Sequence, residues 1–174
     1  IYSVKFVKVQ SPRVALANIG TEDSKGDRLR HEAFDLLKDT KEINFIGNVE
    51  TRDVPYGCCD VLVADGFTGN IILKLYEGVA GAMMANIKNI FKKSSITMLA
   101  AMMVKGGLLG LKMRMDYSEF GGAPLLGVNG VVIKAHGSSD AKAIRNAIRQ
   151  AKTCAEKNIV GTIAQSVKEA ADAE

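Results

Sequence analysis

Apolar positions along the chain follow two rhythms. Short apolar runs stopped by glycine read as strands, and longer stretches with apolar residues three and four apart read as helices. The run 61–64 is stopped by Asp65-Gly66, and Thr68-Gly69-Asn70 opens a helical pattern carried by Ile71, Ile72, Leu75 and Val79. This predicts a strand buried on both faces, a glycine turn and a helix start, in that order. Upstream, 13–20 predicts a strand and 21–26 a polar loop. A helix follows over 28–38, with Leu29, Ala33, Phe34, Leu36 and Leu37 at helical spacing and Ser24 and Asp27 placed as a capping box. A short strand at 43–46 ends at Gly47, and 48–56 reads as a loop or a single turn. Residues 2–9 alternate, as a strand or the tail of a helix would.

Downstream of Asn70 the helical pattern continues to about residue 91, weakened by Gly78 and Gly81. Ser94-Ser95 restarts it. Nine apolar or small residues at 96–104, then Lys105-Gly106-Gly107, then Leu108-Leu109-Gly110-Leu111 read as two helices or half-helices with an apolar tip between them. The glycine-rich run 121–130 predicts a loop with at most a brief extended piece, and 131–135 a buried strand. That strand ends at His136-Gly137-Ser138-Ser139-Asp140, where a serine can cap the next helix with Asp140 in its first turn. Residues 141–154 form a helix with Ala143, Ile144, Ala147, Ile148 and Ala151 on one face, and Asn158 caps a last helix through Ile159, Ile163, Val167 and Ala171. The alternation of strands and helices points to an α/β fold, a mainly parallel sheet flanked by helices.

Composition changes this picture in two places. At 174 residues, 47% hydrophobic and 24% charged, the chain is long enough for one domain with a real core. Three cysteines, Cys58, Cys59 and Cys154, make no disulfide framework, which fits a reducing cytoplasm. The net charge of +4 is unevenly placed. Residues 78–115 hold Lys88, Lys92, Lys93, Lys105, Lys112 and Arg114 and no acid, which leaves 17 basic against 19 acidic residues elsewhere. Basic residues around an apolar stretch too short to span a bilayer suit an interfacial element meeting anionic head groups, with Leu99, Met102, Met103, Lys105, Leu108, Leu109 and Leu111 as its contacts. A helical pair buried against another subunit is the plainer alternative, with methionines filling gaps. The segment is aliphatic and Met-rich with little aromatic interleaving, which weighs against a nucleic-acid groove without excluding one.

Two turns could carry chemistry, Asp65–Asn70 by position and His136–Ser139 by residue type. Each follows an apolar run and precedes a helix, whose first N–H groups and dipole favour an anion. If both strands lie in one parallel sheet, both turns open on the same edge, where such sheets bind ligands, and one phosphate could be gripped by both. Gly66, Thr68, Gly69, Gly137, Ser138 and Ser139 are the candidate phosphate contacts, although each hydroxyl would serve equally as a plain N-cap. Neither turn is a Walker A loop or a dinucleotide fingerprint. His136 could hold phosphate as a cation or move a proton as a neutral ring, or simply be a locally bonded structural histidine. Lys74 lies one turn after Asn70 and shares its face; a surface lysine is the alternative. His31 sits on a polar helix face. Two distant histidines and scattered cysteines argue against zinc, and Cys58 and Cys59 read as packing residues.

Four stretches, 12–22, 43–50, 60–70 and 121–139 (the last Gly-Gly-Ala-Pro-Leu-Leu-Gly-Val-Asn-Gly-Val-Val-Ile-Lys-Ala-His-Gly-Ser-Ser), closely resemble the bacterial phosphate acyltransferase (PlsX) family. The resemblance covers nearly the whole chain and implies the C-terminal portion of a longer protein. It further implies a three-layer fold similar to phosphotransacetylases and isocitrate dehydrogenases, and a reaction without cofactor or metal. In that reaction phosphate attacks a long-chain acyl-acyl-carrier-protein, giving acyl phosphate and free carrier protein. The expected partners are acyl carrier protein, inorganic phosphate, a second copy of the chain, the anionic inner face of the cell membrane and a membrane glycerol-phosphate acyltransferase downstream, and no nucleic acid. The candidate catalytic residues are His136, Asn70 and Lys74, of which the resemblance bears only on the position of His136. His136 falls where phosphotransacetylases carry an arginine. Two alternatives stay open, a phosphotransacetylase acting on short acyl-CoA and a non-catalytic module for dimerisation and membrane attachment.

Overall fold

A computed structural model describes residues 1–115 and 119–172. The side chains of Lys112 and Arg114, two cations of the basic segment, lie outside the described set. The chain divides into two compact units, Ile1–Gly69 with Lys157–Glu174, and Asn70–Glu156.

The first unit is built on a parallel three-stranded sheet. Strand β1 (Arg13–Asn18) lies at its centre, with β2 (Asn44–Glu50) and β3 (Val61–Val63) on either side. Centrality explains why Val14, Ala15, Leu16, Ala17 and Asn18 are all buried. Parallel strands need a crossover, and helix α1 (Arg28–Asp39) supplies it between β1 and β2, packing on both. Its buried Phe34 meets Phe45 of β2 edge-to-face, the ring centroids 5.3 Å apart. Two buried asparagines hold the loop after β1: Asn18 Nδ2 donates to the Lys25 carbonyl at 2.9 Å and Asn48 Nδ2 to that of Glu22 at 3.0 Å. Arg13 fastens the start of β1 to the approach to β3, with its guanidinium on Asp60 and on the carbonyls of Gly57 and Cys58.

Three expectations need correction here. Strand β3 is half-buried, because among the described residues it is an edge strand with β1 as its one neighbour. Gly47 does not end its strand: at φ 92° it sits where β2 gains one residue over β1, a bulge that lets pairing resume through Glu50. Asp27 itself, not Ser24, is the N-cap of α1, accepting from the Arg30 amide at 3.0 Å. Residues 3–7 form a single π-helical turn, which Lys5 and Lys157 join to helix α5 (Ile159–Ala171), Lys5 Nζ reaching Thr162 Oγ1 at 2.7 Å and Lys157 Nζ the Lys5 carbonyl at 2.6 Å. Asn158 holds the N-cap position of α5 in left-handed geometry, without a side-chain cap bond.

Helix α2 (Gly66–Phe91) leads into the second unit, followed by α3 (Ser95–Met115), strands β4 (Ala123–Leu125) and β5 (Val132–Lys134), and helix α4 (Ala141–Glu156). The expected apolar tip is not a turn. The helix breaks at the polar residues 92–94, and α3 runs unbroken through Gly106-Gly107. Two glycines cost a helix about 2 kcal/mol together, less than abandoning the ladder they sit in. Ser94 and Thr97 fix the new start reciprocally: the Ser94 amide donates to Thr97 Oγ1 at 3.0 Å and the Thr97 amide to Ser94 Oγ at 3.2 Å. No helix among the described residues is long and apolar enough to cross a membrane.

Strand β5 pairs antiparallel with β4, not with the parallel sheet, and Val132 is 46% exposed. A run of four or five apolar residues fits a buried parallel strand and a half-covered hairpin equally, so periodicity did not separate them. The premise that both glycine turns leave one parallel sheet is therefore not met. On α4 the buried stripe is Ala143, Asn146, Ala147, Gln150 and Cys154, while Ile144 and Ile148 are exposed. Small side chains face inward because Gly121 lies against the α4 backbone: a Cβ built there would come within 2.2 Å of the Ala147 nitrogen.

Candidate functional site

The first turn is organised by a carboxylate. Asp65 Oδ1 accepts from the amides of Phe67 at 3.0 Å and Thr68 at 2.9 Å, and so caps α2. The Arg30 guanidinium reaches across from α1 to the Asp65 carboxylate and to Thr68 Oγ1, the latter at 2.7 Å, while its other arm holds Asp27 at 2.8 Å. The Thr68 hydroxyl and amide, with Arg30 and the Phe67 amide, hold the Asp65 carboxyl down to about 2 against a weaker opposing push from burial. Asp65 is thus ionised at neutral pH. Donors expected to meet a ligand anion are met first by the protein's own carboxylate. Thr68, a candidate phosphate contact, already spends its hydroxyl inside this cluster.

Gly66, Gly69 and Gly137 have no left-handed backbone. A Cβ would meet nothing within 4 Å at Gly66 or Gly137, and only Ala64 at an ordinary 3.7 Å at Gly69. Neither strain nor crowding among the described residues demands glycine there. What a side chain would occupy is the open space before a helix start. Asn70 and Lys74 follow one turn apart on α2, both exposed.

The second turn is organised by a histidine. The Ser138 amide donates to His136 Nδ1 at 3.2 Å, Ser138 Oγ stands 2.7 Å from the same atom, and the Ser139 amide donates to the His136 carbonyl at 3.0 Å. Because Nδ1 accepts from an amide, the neutral ring carries its proton on Nε2. Neither serine is the cap of α4. Asp140 is, its Oδ1 accepting from the Ala143 amide at 2.8 Å. Ser139 Oγ is buried with no hydrogen-bond partner among the described residues. His31, expected on a solvated face, is half-buried on α1.

Cys58 and Cys59 behave as the packing residues expected. Their sulfurs are 3.9 Å apart, and burial, then the hydrogen bond from Cys58, pushes the Cys59 thiol up to about 11, far from a thiolate nucleophile. Sequence reasoning missed Arg30. Its only local signal was its place three residues after an N-cap aspartate; its partners Asp65 and Thr68 are 35 and 38 residues away. Within the basic segment, Met102, Lys105, Leu108 and Leu109 line a groove between α2 and α3, and Leu99, Met103 and Leu111 do not.

Fold and turns together define an α/β protein with acid-capped helix starts beside glycine turns and a serine-bound histidine. The chain belongs to the family described as Fatty acid synthesis protein, whose profile matches residues 1–161. Similar proteins include ones called Phosphate acyltransferase from Lysinibacillus sphaericus, 52% identical over 168 residues, and from Clostridium perfringens, 48% identical over 167. Another of that name from Thermoanaerobacter pseudethanolicus is 46% identical over 172 residues. These alignments cover 97%, 96% and 99% of this chain and 51%, 49% and 52% of the relatives. The chain spans about half the length of the curated relatives it matches.

Proposed function

We propose that this chain is the C-terminal portion of a phosphate acyltransferase that moves a long-chain acyl group from acyl carrier protein to inorganic phosphate. The observation that carries the reading is the 52% identity, across nearly the whole chain, to a relative of that name. In the reaction a phosphate oxygen attacks the thioester carbonyl, the C–S bond breaks, and the carrier thiolate takes up a proton, leaving acyl phosphate. Phosphate is itself the nucleophile, so no covalent enzyme intermediate is needed. The protein must position it and stabilise the oxyanion.

His136 acts through Nε2 in this reading, with Asn70 and Lys74 as the further polar groups toward phosphate. At the first turn Gly66 and Gly69 leave the backbone open to an anion; at the second Gly137 does so, with Ser138 and Ser139 as donors. The buried, unpartnered hydroxyl of Ser139 supports this, since such a group costs about 1–3 kcal/mol unless something meets it. Thr68 acts indirectly, by holding Asp65. The exposed Leu99, Met103 and Leu111, with Met102, Lys105, Leu108 and Leu109, meet an anionic membrane surface on the cytoplasmic side. A homodimer completes the site, and the acyl phosphate passes to a membrane glycerol-phosphate acyltransferase.

The test is phosphate-dependent loss of palmitoyl-acyl-carrier-protein by the full-length protein, with acetyl-CoA in parallel. Turnover of the carrier-bound chain alone upholds the reading. Turnover of acetyl-CoA alone moves the function to the phosphotransacetylases, and turnover of neither leaves a module for dimerisation and membrane attachment.

A further inference from the structure

A short 3-10 helix, Thr51–Tyr56, closes on Gly57, whose φ of 74° turns the chain before β3. In an extended segment consecutive side chains point to opposite faces, which would hold the thiols of Cys58 and Cys59 apart. Here the chain bends at Cys58, and the two sulfurs lie 3.9 Å apart. Both are free thiols and half-buried. The bend is held from outside the pair. The Arg13 guanidinium donates to the carbonyls of Gly57 at 2.9 Å and Cys58 at 3.0 Å, and its Nε to the Asp60 carboxylate at 3.0 Å. The approach is open among the described residues: Tyr56, Gly57 and Asp60 are exposed, and a Cβ built on Gly57 would meet nothing within 4 Å.

The spacing discriminates between possible bonds. A disulfide would have to draw the sulfurs from 3.9 Å to about 2 Å against the Arg13 clasp. One heavy atom bonded to both, at the ~2.3 Å that thiolates make to zinc, sets them about 3.8 Å apart at a tetrahedral angle. The pair already has that separation. Burial, then the hydrogen bond from Cys58, pushes the Cys59 thiol up to about 11, so it is protonated at neutral pH. Disulfide exchange depends on a thiolate and is disfavoured; a condensation in which each sulfur gives up its proton is not. Among the described residues no group of three histidine, cysteine or carboxylate side chains could hold a metal ion, so an occupant has to be satisfied by two sulfurs.

We propose that Cys58 and Cys59 are a chelating dithiol site for a trivalent organoarsenical, R–As=O, whose arsenic bonds to both sulfurs. Two S–H bonds and the As=O bond break, two As–S bonds form, and both protons leave with the oxygen as water. Arsenic stays trivalent, so no oxidant or reductant is needed. With one carbon group and two sulfurs its three bonds are complete, where a structural zinc would want four ligands. Soft sulfur ligands suit such a soft centre. Cys154, buried on α4, has no cysteine beside it in the chain and cannot close the same ring. The site does not rest on the acyl-transfer reading.

The experiment treats the full-length protein with phenylarsine oxide in the presence of excess 2-mercaptoethanol, reads the adduct by intact mass and locates it by peptide mass. The expected product carries one phenylarsenic group on the peptide that holds Cys58 and Cys59, a gain of the reagent less one water. It should survive the monothiol and be removed by 2,3-dimercaptopropanol. Cys58→Ser and Cys59→Ser should each abolish the adduct on that peptide, and Cys154→Ser should leave it. A readout that needs no variant is iodoacetamide in urea after capture, which should label Cys154 and leave Cys58 and Cys59 blocked. The folded protein should bind the arsenical at least tenfold tighter than a synthetic peptide of residues 55–61, because the bend is already made. Equal affinity of protein and peptide overturns the proposal, as does an adduct on one cysteine that the monothiol strips, or no adduct on this pair. So does a disulfide between Cys58 and Cys59, seen as a loss of two hydrogens in place of the adduct, which would make the pair a redox couple.

Discussion

Gly121→Ala tests whether the loop before β4 is docked by backbone proximity. Gly121 has φ 84°, a conformation that costs a residue with a Cβ about 1–2 kcal/mol. A Cβ there would also fall 2.2 Å from the Ala147 nitrogen, 2.6 Å from the Ala143 carbonyl oxygen and 2.6 Å from the Asn146 carbonyl carbon. All three are backbone atoms of α4, so no side chain can swing away, and the overlap adds about 1–3 kcal/mol of displacement. The expected loss is roughly 2–5 kcal/mol in all. Gly127 is the matched control: its φ is 80°, yet a Cβ there would meet nothing within 4 Å. Gly127→Ala should therefore cost only the conformational part, about 1–2 kcal/mol. Urea unfolding of both variants of the full-length protein, followed by far-UV circular dichroism, separates the two contributions. A difference between them below about 0.5 kcal/mol, within what an ordinary surface change produces, would refute the close approach as the reason for glycine at 121.

Four further outcomes follow from the site. Asp65 has a folded-state value of about 2, below its unfolded value, so its stabilisation is complete above about pH 4 and lost as pH falls toward 2. The melting-temperature gap between wild type and Asp65→Asn should close over that window, and a gap constant from pH 6 to pH 2 would disprove the linkage. Arg30→Met leaves Asp27 and Asp65 facing each other without their bridge and should destabilise by about 1–3 kcal/mol, with Arg30→Lys recovering only part because it lacks the planar fork; full recovery by lysine would show that charge alone matters. His136→Ala should raise the phosphate KM or lower kcat in the acyl-transfer assay, and unchanged values for both would remove the histidine from the site. Charged substitutions at Leu108 and Leu109 should reduce co-sedimentation with anionic vesicles, and undiminished binding would end the membrane role of those residues.

Much of the first unit was legible because its signals are local. A continuous apolar run marks a buried strand, and Val14–Ala17 by number became the centre of the sheet, while the 3.6-residue spacing of α1 needed no knowledge of its partners. The order of strand, turn and helix at residues 61–70 was equally plain. The second unit misled where two structures satisfy one pattern. Gly106-Gly107 reads as a break, yet a long helix absorbs it. An apolar run before His136 reads as a parallel strand, yet its hydrogen bonds go to a hairpin partner supplied by the glycine-rich loop.

The sequence alone determined the element types, the α/β class, the concentration of positive charge in residues 78–115 and the motifs that tie the chain to its family. Those depend on periodicity, composition and residue order, all of which are written along one dimension. Only the tertiary structure decided that Asp65 and Asp140, not serines or a ligand, cap the helix starts, and that Arg30 braces the first turn from another helix. It also divided the apolar residues of α3 between a lysine-rimmed groove and an outer face. Hydrogen-bond partners and packing faces are set by distance in space, and residues 35 apart in the chain carry no local mark that they will meet.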